Sequence, residues 1–144
     1  METSFTRLND GWNAEPNVPI PRVSVDGNDV VVTFILNFHR YKRFLEGQQA
    51  FLRFHECWRY RLGATNDEGW DRGQCRFSRM APEWGEFYEV SGDLRLEATT
   101  EPWRDGPATS AHPSKHFLFY FRDETFECDA ASWSVEFGEV DTSW

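Results

Sequence analysis

The stretch Arg53–Arg61 (RFHECWRYR) holds most of the side chains of this chain that could do chemistry. On an extended strand, His55 and Cys57 would lie on one face with the arginines. A cysteine becomes nucleophilic when a nearby base or positive charge lowers its pKa, and this face could supply both. The sequence identifies neither an orienting group nor an oxyanion pocket, so a packed cysteine beside a solvated histidine is the favoured interpretation.

Glu56 interrupts the apolar face of the same stretch, between Phe54 and Trp58. A carboxyl group in apolar surroundings has a raised pKa and can serve as a general acid. Glu56 could equally pair with an arginine, or the strand could bulge at this point. Glu56, with His55 and Cys57, is therefore kept as the catalytic alternative.

Positive charge is concentrated here, because residues 38–62 hold six basic and two acidic side chains in a chain of net charge −9. The guanidinium group matches carboxylates and phosphates, so a groove that binds an anionic ligand is one interpretation. The favoured interpretation is a solvated strand face whose arginines pair with acidic residues on neighbouring strands. The candidate ligand-binding residues are Arg53, His55, Arg59 and Arg61.

Local signatures of metal, cofactor and enzyme sites are absent. The four histidines His39, His55, His112 and His116 form no His-x-His pair, and no CxxC occurs. Neither glycine-rich phosphate loops nor GxSxG, HExxH and EF-hand patterns are found. We expect no metal and no cofactor, and the sequence favours a non-enzymatic protein, although catalysis without a local motif stays open.

Tryptophans beside carboxylates mark a candidate recognition surface. One lies in the acidic segment Asn66–Gly73 (NDEGWDRG), and another in the stretch PEWGEFYE that follows it. Large rigid rings of this kind anchor partners, although they could equally cover the open end of a β-fold. The predicted partner-binding residues are Asp67, Glu68, Trp70, Asp71, Glu83, Trp84 and Glu86.

Apolar residues alternate with period two along most of the chain, which predicts strands rather than helices. The 144 residues suit a single β domain over 1–144, with an irregular segment over 1–19 and a long surface loop over 99–114. Seven to nine short strands with little helix predict an antiparallel β-sandwich or a small β-barrel.

Particular strands follow from the pattern. A hairpin is predicted where Asp26-Gly27-Asn28-Asp29 separates two β-branched runs, because an Asp-Gly turn supplies the positive φ of a tight turn. Ala50–Leu62 alternates, interrupted only by Glu56 on its apolar face, and predicts one long strand of about a dozen residues. The remaining candidate strands are Gln74–Arg79, Glu86–Val90, Leu94–Ala98, His116–Phe121, Thr125–Cys128 and Trp133–Phe137.

Charge and hydropathy exclude several classes. The excess of 24 acidic over 15 basic residues argues against sequence-independent nucleic-acid binding. The longest apolar run, Val30–Phe38, is too short for a membrane helix, so no membrane association is expected. Three cysteines at wide spacings (Cys57, Cys75 and Cys128) suggest free thiols, and the polar Met1–Thr6 does not resemble a secretion signal. A cytoplasmic location is the expectation.

These observations predict a non-enzymatic cytoplasmic protein that binds a protein partner through an acidic surface with aromatic anchors, as an inhibitor or immunity-type protein would. A basic partner would complement such a surface. The alternative is a protein that binds a small anionic ligand, or an enzyme without a motif, built on the arginine-bearing strand. Carbohydrate binding through the tryptophans is a third interpretation, which the missing secretion signal disfavours.

Overall fold

The computed structural model describes residues 3–63, 85–92, 103–109, 114–122 and 124–138. Within these residues the chain forms ten β-strands and no helix. The strands are β1 (Ser4–Arg7), β2 (Arg22–Asp26), β3 (Asp29–Ile35), β4 (Gln49–His55), β5 (Arg59–Gly63), β6 (Phe87–Ser91), β7 (Arg104–Asp105), β8 (Lys115–Tyr120), β9 (Thr125–Ala130) and β10 (Ser132–Phe137). The described residues therefore contain no helix that is long and apolar enough to cross a bilayer.

The strands form two antiparallel sheets that pack on each other as a sandwich and do not close into a barrel. The larger sheet has the order β1-β6-β8-β9-β5-β7, and the smaller has the order β10-β4-β3-β2. Of the two predicted architectures, the sandwich is the one adopted.

The predicted hairpin between β2 and β3 is confirmed. Asp26 pairs with Asp29, which leaves Gly27 and Asn28 as a two-residue turn. Gly27 has φ of 61°, a conformation that glycine adopts without the steric cost of a side chain. The hairpin of β8 and β9 and the final strand β10 are also found close to their predicted positions.

Aromatic side chains fill the space between the two sheets. Phe34 and Phe54 come from the smaller sheet and Phe87 and Phe119 from the larger, and all four are at most 1% exposed. Their rings meet mostly edge-on or tilted, with Phe34 and Phe119 centroids 5.2 Å apart. Trp12 is also buried here and packs with these rings as part of the core.

The prediction of one long strand over Ala50–Leu62 is wrong. The chain leaves the smaller sheet after His55, turns at Glu56, and enters the larger sheet at Arg59. Glu56 has φ of 52°, which is incompatible with an extended strand and reverses the backbone direction locally. Alternation continues on both sides of the turn because each half has one face on the same core.

Two boundary predictions also differ from the structure. The segment 1–19, expected to be irregular, contains β1, in which Phe5 lies opposite Val90 of β6. The segment 99–114, expected to be a loop, contains the two-residue strand β7, and the rest of this segment is described only over residues 103–109 and at residue 114. The candidate strands Gln74–Arg79 and Leu94–Ala98 lie outside the described residues.

Candidate functional site

Charged side chains cross the outer face of the six-stranded sheet in two adjacent rows. In the first row, His116 of β8 lies opposite Asp129 of β9, which lies opposite Arg59 of β5. In the second row, Glu127 lies opposite Arg61, two residues along the same strands. Side chains two apart on a strand share a face, so the register alone brings the five together. We call Arg59, Arg61, His116, Glu127 and Asp129 the charge cluster.

Both ring nitrogens of His116 contact carboxylates. Nδ1 lies 2.9 Å from Oδ1 of Asp129, and Nε2 lies 2.6 Å from Oε2 of Glu127. The other oxygens of these carboxylates accept from the arginines: Arg61 donates Nη2 to Glu127 Oε1 at 3.2 Å, and Arg59 donates Nε to Asp129 Oδ2. The five groups form a continuous network that links β5, β8 and β9.

The network is largely removed from solvent. The side chains of His116, Glu127 and Arg61 are 1%, 2% and 5% exposed. Burial alone would lower the pKa of His116, but the hydrogen bonds that its ring donates to Asp129 and Glu127 outweigh burial and raise that pKa. Burial likewise opposes ionisation of Asp129, yet the bonds from His116 and Arg59 lower its pKa. The charged forms are the stable ones.

Trp103 lies over the arginines of the cluster. The guanidinium carbons of Arg59 and Arg61 are 4.1 and 4.0 Å from its ring centroid. Its ring also meets that of His116 edge-on, with centroids 5.9 Å apart. Cation–π contact with this half-buried ring stabilises the buried guanidinium group of Arg61 and the partly exposed one of Arg59. Trp103 therefore acts as a cover for the charge cluster.

The arrangement determines what His116 can do chemically. A general base or a metal ligand needs a ring nitrogen with a free lone pair. When both nitrogens donate to carboxylates, the ring is an imidazolium and neither lone pair is available. The charge cluster is thus built as an ionic brace across three strands.

The acidic half of the cluster is not among the candidate residues predicted from the sequence, although a signal for it exists. Glu127 and Asp129 flank Cys128 in a strand whose six residues are all buried. Carboxylates two apart in a buried strand need cationic partners with the same spacing. Arg59 and Arg61 have that spacing, but the pairing of β5 with β9 could not be identified from sequence.

The structure separates the four candidate ligand-binding residues into two pairs. Arg59 and Arg61 belong to the charge cluster, whereas Arg53 and His55 lie on the outer face of the four-stranded sheet. They do not converge on one ligand. The expected face of one continuous strand does not exist, because the turn at Glu56 divides it.

Arg53 and His55 have partners of their own within the chain. Arg53 bridges Asp26 and Asp29, with N–O distances of 2.9 and 3.0 Å. His55 lies 2.9 Å from Ser134 Oγ and 3.4 Å from Asp29 Oδ2. Burial would raise the pKa of Asp29, but hydrogen bonds from Arg53 and from the Glu56 backbone amide lower it. These contacts are the cross-strand pairs that the favoured interpretation of the arginines expects.

The candidate catalytic residues do not form a catalytic group. Glu56 is exposed in the turn, rather than set on an apolar face, and its backbone N–H donates to Asp29. Cys57 is fully buried and directed into the core, where its thiol meets that of Cys128. Burial, followed by the contact with Cys57, raises the pKa of Cys128 well above its ordinary value. Both cysteines are free thiols.

Of the predicted partner-binding residues, only Glu86 is described. It is 3% exposed and accepts a hydrogen bond from Asn9, while Arg40 lies 3.8 Å from its other oxygen. Glu86 therefore positions the start of β6 and presents no charge to a partner, which corrects its assignment to the surface. The other candidates lie outside the described residues: Asp67, Glu68, Trp70, Asp71, Glu83 and Trp84.

Two recesses are lined by none of the described candidate residues. One, of about 220 Å³, is lined by the segment Asn13–Pro16 together with Gly85 and the segment Tyr120–Arg122. The other, of about 210 Å³, is lined by Ile20 and Arg22 and by β3 and β4. Across the described ranges, no group of three or more His, Cys, Asp or Glu side chains is placed to hold a metal ion.

Comparison with known proteins finds no family model, no curated protein and no solved structure that matches this chain.

Proposed function

We propose that this protein is a non-catalytic binding protein that engages a basic protein partner. One observation carries the proposal, namely how the charge is divided along the chain. Residues 63–110, which include Trp70 and Trp84, hold five basic and ten acidic side chains, whereas residues 38–62 hold six basic and two acidic ones. The acidic excess thus extends over the part of the sequence that contains both tryptophans, and Asp67, Glu68 and Asp71 lie beside Trp70 in sequence.

The state of the framework supports a non-catalytic role. The interior is filled by phenylalanine rings, and the only histidine in the charge cluster, His116, has both nitrogens committed to carboxylates. Cys57 and Cys128 are buried away from any substrate. A general base or nucleophile needs an accessible lone pair, and the described part of the sandwich offers none at these positions.

The chemistry of the remaining segments suits a basic partner. Acidic complementarity accelerates encounter with a cationic surface and disfavours wrong partners. Binding energy comes mostly from a few buried rings, for which Trp70 and Trp84 are the candidates. Asp67, Glu68 and Asp71 surround Trp70 in sequence and would supply the complementary charge.

The anionic-ligand alternative has less support. It requires Arg53, His55, Arg59 and Arg61 to face one groove, but they lie on two sheets. Each of the three arginines is already paired with a carboxylate of the same chain. An added anion would have to displace an internal partner.

We also propose that the protein works in the cytoplasm. Two free thiols, Cys57 and Cys128, lie in contact within the core. A reducing compartment keeps such neighbouring thiols from oxidising.

Affinity capture from the native host lysate, at low and high salt, tests the proposed function. We expect a stoichiometric basic protein that is lost at high salt and lost with the variant Trp70→Ala/Trp84→Ala. The matched control Phe51→Ala removes an exposed ring from the four-stranded sheet and should retain the partner. Thermal unfolding establishes that both variants are folded. Capture that is equal with both variants would refute the assigned surface.

A further inference from the structure

The strand β2 forms one edge of the four-stranded sheet, and its second side pairs with no strand among the described residues. Four of its five residues are exposed. Of the five exposed large apolar side chains in the described ranges, three lie in or just before this strand: Val18, Ile20 and Val25. An open edge that carries apolar side chains is a template for another strand.

The direction of the backbone groups of β2 follows from β3. Ile35 donates its N–H to Pro19 at 2.8 Å, on the β2 side of the sheet. In an antiparallel sheet, the backbone groups of successive residues point alternately to the two neighbouring strands. Because Ile35 bonds toward β2, so do Thr33, Val31 and Asp29, which lie opposite Arg22, Ser24 and Asp26. Val23 and Val25 consequently point their N–H and C=O groups away from the sheet.

We propose that two copies of this chain pair through β2 around a two-fold axis at Ser24, which joins two four-stranded sheets into one of eight. In this register Val23 of one copy lies opposite Val25 of the other. Both residues have outward backbone groups, so the two such pairs exchange roughly four hydrogen bonds across the axis. The pairing would also cover the Val25 side chain, which is 54% exposed in the single chain.

The sequence of β2, RVSVD, selects a second copy as the occupant because it is complementary to itself. Antiparallel pairing about Ser24 places Arg22 opposite Asp26 at both ends, and opposite charges across a strand pair are stabilising. Arg22 has no ion-pair partner among the described residues. Asp26 uses Oδ2 for Arg53 of its own chain, which leaves Oδ1 for Arg22 of the second copy. An isologous contact of this kind closes as a dimer.

This dimer does not depend on the proposed basic partner, because it uses none of the acidic segments. Sedimentation velocity from about 10 µM to about 1 mM tests it, which spans the range in which a small interface associates. We expect the average mass to rise from monomer toward dimer across this range. A wild-type chain that stays monomeric throughout would overturn the proposal.

Charge reversal tests the register. Arg22→Asp and Asp26→Arg each place two like-charge pairs across the axis, so each should weaken self-association at least about tenfold. Mixing the two variants restores opposite charges at both ends and should recover a heterodimer. Arg22→Lys retains the charge and should dimerise like the wild type. If the mixture associates no better than the single variants, the Ser24-centred register is wrong.

The backbone contribution is tested separately by Val25→Pro. The lost N–H points away from β3, so the internal ladder keeps its hydrogen bonds and an edge strand tolerates the ring. We expect a folded monomer, with thermal unfolding at about 10 µM as the check on folding. Dimerisation equal to that of the wild type would show that β2 is not the interface.

Discussion

His116 is a cation placed between two carboxylates in the interior of the charge cluster. Its ring is held by Asp129 and Glu127 and lies beneath Trp103. Removing one partner of a buried ionic network leaves the others uncompensated, whereas an exposed pair contributes little. The stability of the larger sheet should therefore depend on this residue far more than on neighbouring surface charges.

We predict that His116→Phe lowers the free energy of unfolding by about 3–5 kcal/mol, because two buried carboxylates lose their shared cation. Urea denaturation followed by circular dichroism measures the change. The matched control is Lys115→Ala, one residue earlier, whose exposed pair with Glu89 spans 3.7 Å and is worth at most about 1 kcal/mol. Equal losses in the two variants would contradict the bracing role.

The same contacts predict how stability depends on pH. The pKa of His116 is raised above 6.5, so its contribution is present below pH 6.5 and is lost as the pH rises through the folded-state pKa. The pKa of Asp129 is lowered from 3.8, so its contribution is present above pH 3.8 and is lost as the pH falls through the folded-state pKa.

We therefore expect the unfolding free energy of the wild type to be highest between pH 3.8 and pH 6.5, and to decline below and above this range. The alkaline decline should be smaller in His116→Gln, which has no titrating ring. Urea titrations from pH 3 to pH 9 on both proteins give the two profiles. An identical alkaline decline in the variant would assign that decline to other groups.

The turn between β4 and β5 decides which sheet each half of Ala50–Leu62 joins. The only sign of this turn in the sequence is a single glutamate within an alternating stretch. The alternation does not reveal the turn, because the strands on both sides of it face the same core. Hairpins with an Asp-Gly turn could be predicted, since that turn is local. The crossing to the second sheet could not, because it depends on pairing with β9, more than sixty residues away in sequence.

The positive φ of Glu56 leads to a prediction for this turn. Glu56→Gly removes the steric cost of the left-handed conformation, which is about 1–2 kcal/mol. Glycine also raises the conformational entropy of the unfolded chain, which offsets part of this gain in stability. It should be neutral or stabilising. Glu56→Val adds a β-branched side chain at the same φ and should destabilise. Urea denaturation ranks the three proteins, and a Gly variant less stable than the Val variant would contradict the assigned conformation.

The short strand β7 is held against the same turn through Gly106. Its N–H donates to Trp58 O at 2.8 Å, and a Cβ at this position would lie 2.4 Å from the carbonyl oxygen of Cys57. Because the neighbouring atoms belong to the backbone of Cys57 and Trp58, a Cβ at position 106 could be accommodated only if a whole segment moved. The register of Arg59 opposite Asp105 depends on this approach.

We predict that Gly106→Ala displaces β7 together with Trp103, and costs about 1–3 kcal/mol as overpacking does. The tryptophan emission should shift to the red as the ring of Trp103 leaves the charge cluster. Thr109→Ala, an exposed position in the same segment, is the control. An unchanged spectrum and stability in Gly106→Ala would contradict this packing.

At the scale of the whole molecule, positive charge is concentrated in residues 38–62, whereas residues 63–110 hold ten acidic and five basic side chains. The all-β class could be predicted from the alternation of apolar residues along the chain. The charge cluster could not, because it is assembled from three strands whose order in the sheet has no local signal. The acidic Trp70 and Trp84 segments remain the basis of the proposed partner surface.

The most direct test of a basic partner is the salt dependence of its affinity. The dissociation constant of the captured partner would be measured in about 50 and about 500 mM salt, where exposed charges are screened to different extents. The wild type is compared with Asp67→Asn/Glu68→Gln/Asp71→Asn. We predict that wild-type affinity falls at least about tenfold at high salt, and that the variant binds more weakly at low salt with little salt dependence. A wild-type affinity that does not change with salt, or a variant that binds as the wild type does, would contradict the proposed acidic surface.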